Sequence, residues 1–168
     1  MIVDSSAIIA ILKGEPDGDH LLAAIATDPS ARMAAPNYLE AAIVVDGLRD
    51  PVKSRQFDDL VGALGIEIVA ATVEHAHVAR AAYRDFGKGS GHPAGLNFGD
   101  CFAYALARLA GEPLMFNGDD FGHTDIAPPC RRGPDTPGSR RGSSGLVQHL
   151  GSRGPCRVRQ DRLVPERA

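Results

Sequence analysis

A few acidic residues stand out by the company they keep. Asp4 closes the apolar run Met1-Ile-Val. Glu40 lies within Pro36-Asn-Tyr-Leu-Glu-Ala-Ala-Ile-Val-Val45, and Asp100 follows Asn97-Phe98-Gly99 and precedes Cys101-Phe102-Ala103-Tyr104-Ala105. The pair Asp119-Asp120 follows Leu114-Met-Phe116 and the turn residues Asn117-Gly118. Carboxylates gathered beside apolar segments are costly, since two of them about 4 Å apart repel by roughly 4 kcal/mol at an effective dielectric of 20. A hard divalent cation offsets that repulsion, and oxygen ligands with retained waters suit Mg²⁺ or Mn²⁺. Such an ion activates water and bridges a phosphate, which is the chemistry of phosphodiester hydrolysis.

The elements that must position these acids alternate along the first 129 residues. Met1–Asp4 reads as a short strand, after which Ser5 or Ser6 can cap a helix to Leu12, stopped at Gly14. An Asp in this place often caps a helix itself, but the two serines supply capping oxygens and leave Asp4 free. Asp17–Ala26 has helical spacing, 31–35 is strand-like, and Pro36 suits the first turn of a helix to Leu48. Leu39, Ile43 and Val44 mark the expected buried side of that helix. Glu40 has two open readings, a site acid or an exposed acid favoured by the helix dipole.

Further helices are predicted for Val52–Leu64, for Thr72 to about Phe86, and from Asn97 to Ala110 with Gly111 ending it. The last carries Asp100 in its first turn, over an expected core stripe of Phe98, Phe102, Ala105, Leu106 and Leu109. Ile66–Val69, Pro113–Phe116 and Thr124–Ile126 read as strands, and Gly87–Gly95 as a flexible loop. Strands alternating with helices imply an α/β fold with a central parallel sheet covered on both faces. Sites in such sheets lie at the carboxyl ends of the strands, where Asp4 and the Asp119-Asp120 pair fall.

Composition bounds the rest. A chain of 168 residues, 43% hydrophobic and without Trp, suits one soluble domain. No apolar run is long enough to cross a bilayer, and Asp4 sits where a signal peptide needs basic residues. The expected location is the cytoplasm. Cys101, Cys130 and Cys156 have neither disulfide nor zinc spacing, and the scattered histidines make no ligand set. The net charge of −3 hides an asymmetry. Residues 1–129 carry nine Lys and Arg against eighteen Asp and Glu, whereas 130–168 carry nine Arg against three acids. The segment 130–168, rich in Arg, Gly, Pro and Ser, has no hydrophobic period and is predicted to be a disordered tail. Its composition does not separate an arm that holds RNA loosely from an incidental extension.

The motifs resemble those of the PIN-domain family. Met-Ile-Val-Asp-Ser-Ser-Ala-Ile-Ile-Ala is similar to its first strand. Pro-Asn-Tyr-Leu-Glu-Ala, Leu-Asn-Phe-Gly-Asp-Cys-Phe-Ala-Tyr-Ala-Leu-Ala and Gly-Asp-Asp-Phe-Gly-His-Thr-Asp-Ile resemble its later motifs in order and spacing. Over roughly residues 1–127 the set resembles a VapC toxin of a type II toxin–antitoxin pair. The resemblance implies a PIN-like α/β fold and Mg²⁺-dependent (or Mn²⁺-dependent) cleavage of RNA. It also implies a homodimer, and inhibition by a VapB-like antitoxin. Asp4 and Asp100 match the family's principal metal ligands, Glu40 its second acid and Ser6 a small hydroxyl near the metal. Asp119 is taken as the fourth acid, with Asp120 the alternative, so the catalytic set is Asp4, Glu40, Asp100 and Asp119. Arg80, Arg84 and Lys88 are candidates for phosphate contacts, or for an ordinary solvated helix face.

Two rival classes are weaker. A haloacid-dehalogenase-type phosphatase also opens with a strand-end Asp but needs a second Asp two residues on, where this chain has Ser6. A P-loop is excluded because the Gly87–Gly95 loop lacks a Gly-Lys-Ser/Thr ending. A catalytically silent binding module of the same fold remains the alternative function, and the intact set of acids argues against it.

Overall fold

A computed structural model describes residues 1–126. The boundary at 129 and the basic segment 130–168 lie outside the described residues. Four short strands, β1 (Ile2–Val3), β2 (Arg32–Ala34), β3 (Glu67–Val69) and β4 (Leu114–Met115), form one sheet in the order β3-β2-β1-β4. Every pairing is parallel. Six helices connect them: α1 (Ser5–Lys13), α2 (Gly18–Ala26), α3 (Ala35–Asp46), α4 (Pro51–Ala63), α5 (Val73–Phe86) and α6 (Phe98–Ala110). The predicted α/β class holds, since a sheet of parallel strands needs helical crossovers that cover both its faces.

The strand period of two sorts the core into two layers. Ile2, Ala34 and Leu114 point to the side covered by α5 and α6. Val3, Met33 and Met115, their immediate neighbours, point to the side covered by α1 to α4. The order of strands reverses at β1, because β2 lies on one side of it and β4 on the other. The crevice outside the carboxyl ends of β1 and β4 is therefore the topological switch point, where sheets of this kind bind ligands.

Several expectations are corrected. The buried side of α3 is Asn37, Ala41 and Val45, while Leu39, Ile43 and Val44 are exposed. Small residues bring α3 close to its neighbours, so the large aliphatics occupy the outer face. Likewise the core stripe of α6 is Cys101, Ala103, Tyr104, Ala105, Leu106 and Ala107, with Phe98 and Leu109 exposed. Thr124–Ile126 is not a strand: after β4 the chain turns into a short 3₁₀ helix, Asp120–His123. This end is held by side chains, Tyr104 donating to Asp125 at 2.7 Å with Arg108 paired to the same carboxylate. The Gly87–Gly95 loop is closed at its base, where Lys88 N donates to Leu96 O and Leu96 N to Phe86 O.

Candidate active site

Asp4 follows β1 directly and is buried to 1% exposure. Contrary to the sequence reading, Asp4 is itself the N-cap of α1, its Oδ2 accepting from Ser6 N at 2.8 Å. Neither serine competes for that place. Ser5 Oγ donates to Glu40 Oε2 at 2.8 Å, and Ser6 Oγ accepts from Asn117 N at 3.0 Å. Capping does not exhaust Asp4, since each carboxylate oxygen has a second lone pair. Burial pushes its pKa up, against the hydrogen bonds from Ser6, Ser5 and Asn37 that favour the charged form.

Asp100 reaches the same end of the sheet from α6. It occupies the third helical position, where it completes a capping box: Asn97 Oδ1 accepts from Asp100 N at 3.0 Å, and Asp100 Oδ2 accepts from Asn97 N at 2.7 Å. The box fixes the carboxylate with one oxygen and leaves the other for a ligand. Its pKa is pushed up to about 7, first by burial and then by the negative charges of Asp4, Glu40 and Asp120, against the Asn97 hydrogen bond.

Glu40, in the second turn of α3, leans over the start of α6. A Cβ added to Gly99 would stand 1.9 Å from Glu40 Oε2, so glycine here is what lets the Glu40 carboxylate rest against α6. Burial raises the Glu40 pKa, the Ser5 hydrogen bond opposes it, and the charge of Asp4 raises it further. The fold thus brings Asp4, Glu40 and Asp100 together at one end of the sheet, with the charge of Asp4 acting on both of the others. Both members of the Asp119-Asp120 pair are exposed beyond β4. Asp120 is the one whose charge acts on Asp100.

One site residue was missed by sequence reasoning. Asn37 is fully buried, and its Nδ2 donates to Asp4 Oδ1 at 2.9 Å and to Gly99 O at 3.1 Å. Its place on the same helical face as Ala41 and Val45 was the available signal. Of the basic candidates, Arg84 is engaged by Asp85 through Nε and a terminal nitrogen, and Arg80 and Lys88 are exposed.

These residues fit a small hard cation. The donors are carboxylate oxygens, the hard ligands such an ion takes; burial raises the pKa of all three, and neighbouring negative charge raises those of Glu40 and Asp100 as well. The buried Asn37 Oδ1 has no hydrogen-bond partner among the described residues, a buried oxygen left over beside the acids. Among the described residues, no three His, Cys, Asp or Glu side chains form a ready cage. Mg²⁺ seldom uses one, because it is held by one or two carboxylates and keeps several waters.

The sequence decides the family. Residues 1–127 match the model of the PIN domain. The chain belongs to the PIN-domain family. Its relatives within that family are VapC proteins: it is 51% identical over 130 residues to Ribonuclease VapC42 of Mycobacterium tuberculosis, covering 77% of this chain and 99% of that protein. Ribonuclease VapC28 of the same organism is 53% identical over 126 residues, 75% of this chain and 95% of the relative. The PIN fold is also found in a solved structure of M. tuberculosis VapC20, described as a Sarcin-Ricin loop cleaving toxin. That structure has a TM-score of 0.56 at 13% identity, over 72% of this chain and 92% of the other. A toxin–antitoxin complex from Klebsiella pneumoniae gives a TM-score of 0.54 at 15% identity, over 71% and 88%. This PIN domain is therefore of the VapC type, with a parallel sheet flanked by helices.

Proposed function

We propose that this PIN-domain chain is a Mg²⁺-dependent endoribonuclease and the toxin of a toxin–antitoxin pair. The observation that carries the reading is the convergence of Asp4, Glu40 and Asp100 from three parts of the chain: Ser5, next to Asp4, bonds Glu40, Glu40 packs on Gly99, and Asn37 joins Asp4 to Gly99, next to Asp100. The relatives named ribonucleases set the reaction class. Asp4 and Asp100 would hold Mg²⁺ or Mn²⁺. When bound, such an ion supplies Lewis acidity toward a phosphate and makes water more acidic.

The chain's own groups supply orientation and proton handling. Asp4 is held by Ser6 N and Asn37, and Asp100 by its capping box, so neither carboxylate must be ordered when RNA arrives. Glu40 has Oε2 committed to Ser5, and Oε1 has no hydrogen-bond partner among the described residues. With its pKa raised, Oε1 suits taking a proton from attacking water. The fourth acid comes from the pair beyond β4, and the repulsion at Asp100 favours Asp120 over Asp119.

A protein partner suits the outer face of α3, where Leu39, Ile43, Val44 and Leu48 are exposed. A groove of about 350 Å³ beside it is lined by Ile9, Leu12, Val44, Val45 and Leu48 together with Lys13 and Lys53. Exposed apolar surface of this kind marks protein interfaces, and an antitoxin and a second copy of the chain are the partners proposed. Purified protein incubated with RNA, with and without Mg²⁺, tests the enzyme reading. Cleavage in Mg²⁺ that vanishes in Asp4→Asn supports it. Undegraded RNA with wild type at every Mg²⁺ or Mn²⁺ concentration overturns it.

A further inference from the structure

We propose, on the metal-site reading above, that Asn37 is a positioning residue that sets the spacing of Asp4 and Asp100 for a divalent cation. Asn37 stands in the first turn of α3 with no exposed surface, on a helix face whose other buried residues, Ala41 and Val45, are aliphatic. Its two amide protons divide between two other elements. One goes to Asp4 Oδ1 at the end of β1, the other to the carbonyl of Gly99, the residue before Asp100 in α6. Three segments far apart in sequence are thus tied by one planar group.

The orientation of that group is determined. Rotating the amide by half a turn would set its oxygen against a carboxylate and a carbonyl, both acceptors. The oxygen therefore stays on the opposite side, buried and without a partner. A buried unpaired carbonyl oxygen is unfavourable, and an apolar residue of similar volume would fill the same space without that cost. Packing alone does not account for Asn here. What the amide does, and leucine cannot, is donate to Asp4 and tie it to the start of α6.

The link has a consequence for the cation. Two carboxylates at a fixed separation present a formed pair of ligands, whereas two that drift apart under repulsion must be brought together at the expense of affinity. Groups behind the ligands typically change metal affinity by about 10- to 100-fold. Glu40 and Ser5 form a second, separate link in the same region, so loss of the Asn37 link alone leaves the fold's other ties intact.

Two measurements test this on the full chain. In ¹⁵N-labelled wild type, the Asn37 side-chain protons exchange slowly with solvent and shift when Mg²⁺ is added. Exchange at the solvent rate, or no response to Mg²⁺, overturns the proposal without any variant having to fold. In the second, Mn²⁺ binding is followed by the paramagnetic resonance of the free ion. Asn37→Leu then binds about tenfold or more weakly, and its RNA cleavage recovers as Mn²⁺ is raised, which lost packing would not allow. Wild-type Mn²⁺ affinity in a folded Asn37→Leu overturns the role of Asn37 and leaves the acidic site standing. Unchanged Mn²⁺ binding in Asp4→Asn is a different outcome, which removes the metal-site reading and the role of Asn37 together.

Discussion

Asp100 serves the fold and the site with the same carboxylate. One oxygen caps α6, and burial with the charges of Asp4, Glu40 and Asp120 pushes its pKa up to about 7. A proton and a cation then compete for it near neutrality. Because the folded-state pKa lies above the ordinary value of 3.8, the cation-free protein binds extra protons between those two values. The contribution of Asp100 to stability is therefore fully present below about 3.8 and is lost as pH rises through about 7. Cation affinity runs the other way. Titration calorimetry with Mn²⁺ should show it weakening as pH falls below about 7, by about tenfold per pH unit for one competing proton. Gly99 gives a second residue-scale prediction. Gly99→Ala places a methyl against Glu40 Oε2, so Glu40 must leave its place. Cleavage should fall by about tenfold or more, while unfolding in urea shows a loss of only about 1–3 kcal/mol. Asp119→Asn and Asp120→Asn, assayed side by side, should separate the exposed pair, with the larger loss at Asp120.

At the scale of elements, α3 shows where sequence reading ran out. Its extent was legible, because Pro36 and the end near Leu48 are local signals. Its buried face was not, because hydrophobicity alone assigns Leu39 and Ile43 to the core. The structure instead buries Ala41 and Val45, since close packing rewards small side chains. The same error at Phe98 and Leu109 of α6 has the same cause. Substitutions distinguish the two faces. Ile43→Lys should change stability by no more than about 0.5 kcal/mol. Ala41→Leu, with no room to receive the added carbons, should cost about 1–3 kcal/mol in urea denaturation. The caps were read well where one residue decides them, as with Thr72 and Asn97. Asp4 was misread because three adjacent residues can all cap. The choice between them depends on Glu40 of α3 and Asn117 after β4, partners that spacing does not reveal.

At the scale of the whole molecule, the parallel sheet and its helical layers followed from alternating patterns in the sequence. The site followed from acids at the ends of those patterns. What could not be read is the tie that joins them, since Asn37, Ser5 and Gly99 acquire meaning only when β1, α3 and α6 meet. Together they hold several like charges near one point, which a divalent cation would relieve. Mn²⁺ should therefore raise the melting temperature of wild type and leave that of the double variant Asp4→Asn, Asp100→Asn nearly unchanged. The most direct measurement is a crystal of the chain grown with Mn²⁺ and recorded at a wavelength where manganese scatters anomalously. The account predicts a peak in contact with both Asp4 and Asp100. A peak elsewhere, or none at a saturating concentration of Mn²⁺, would contradict it.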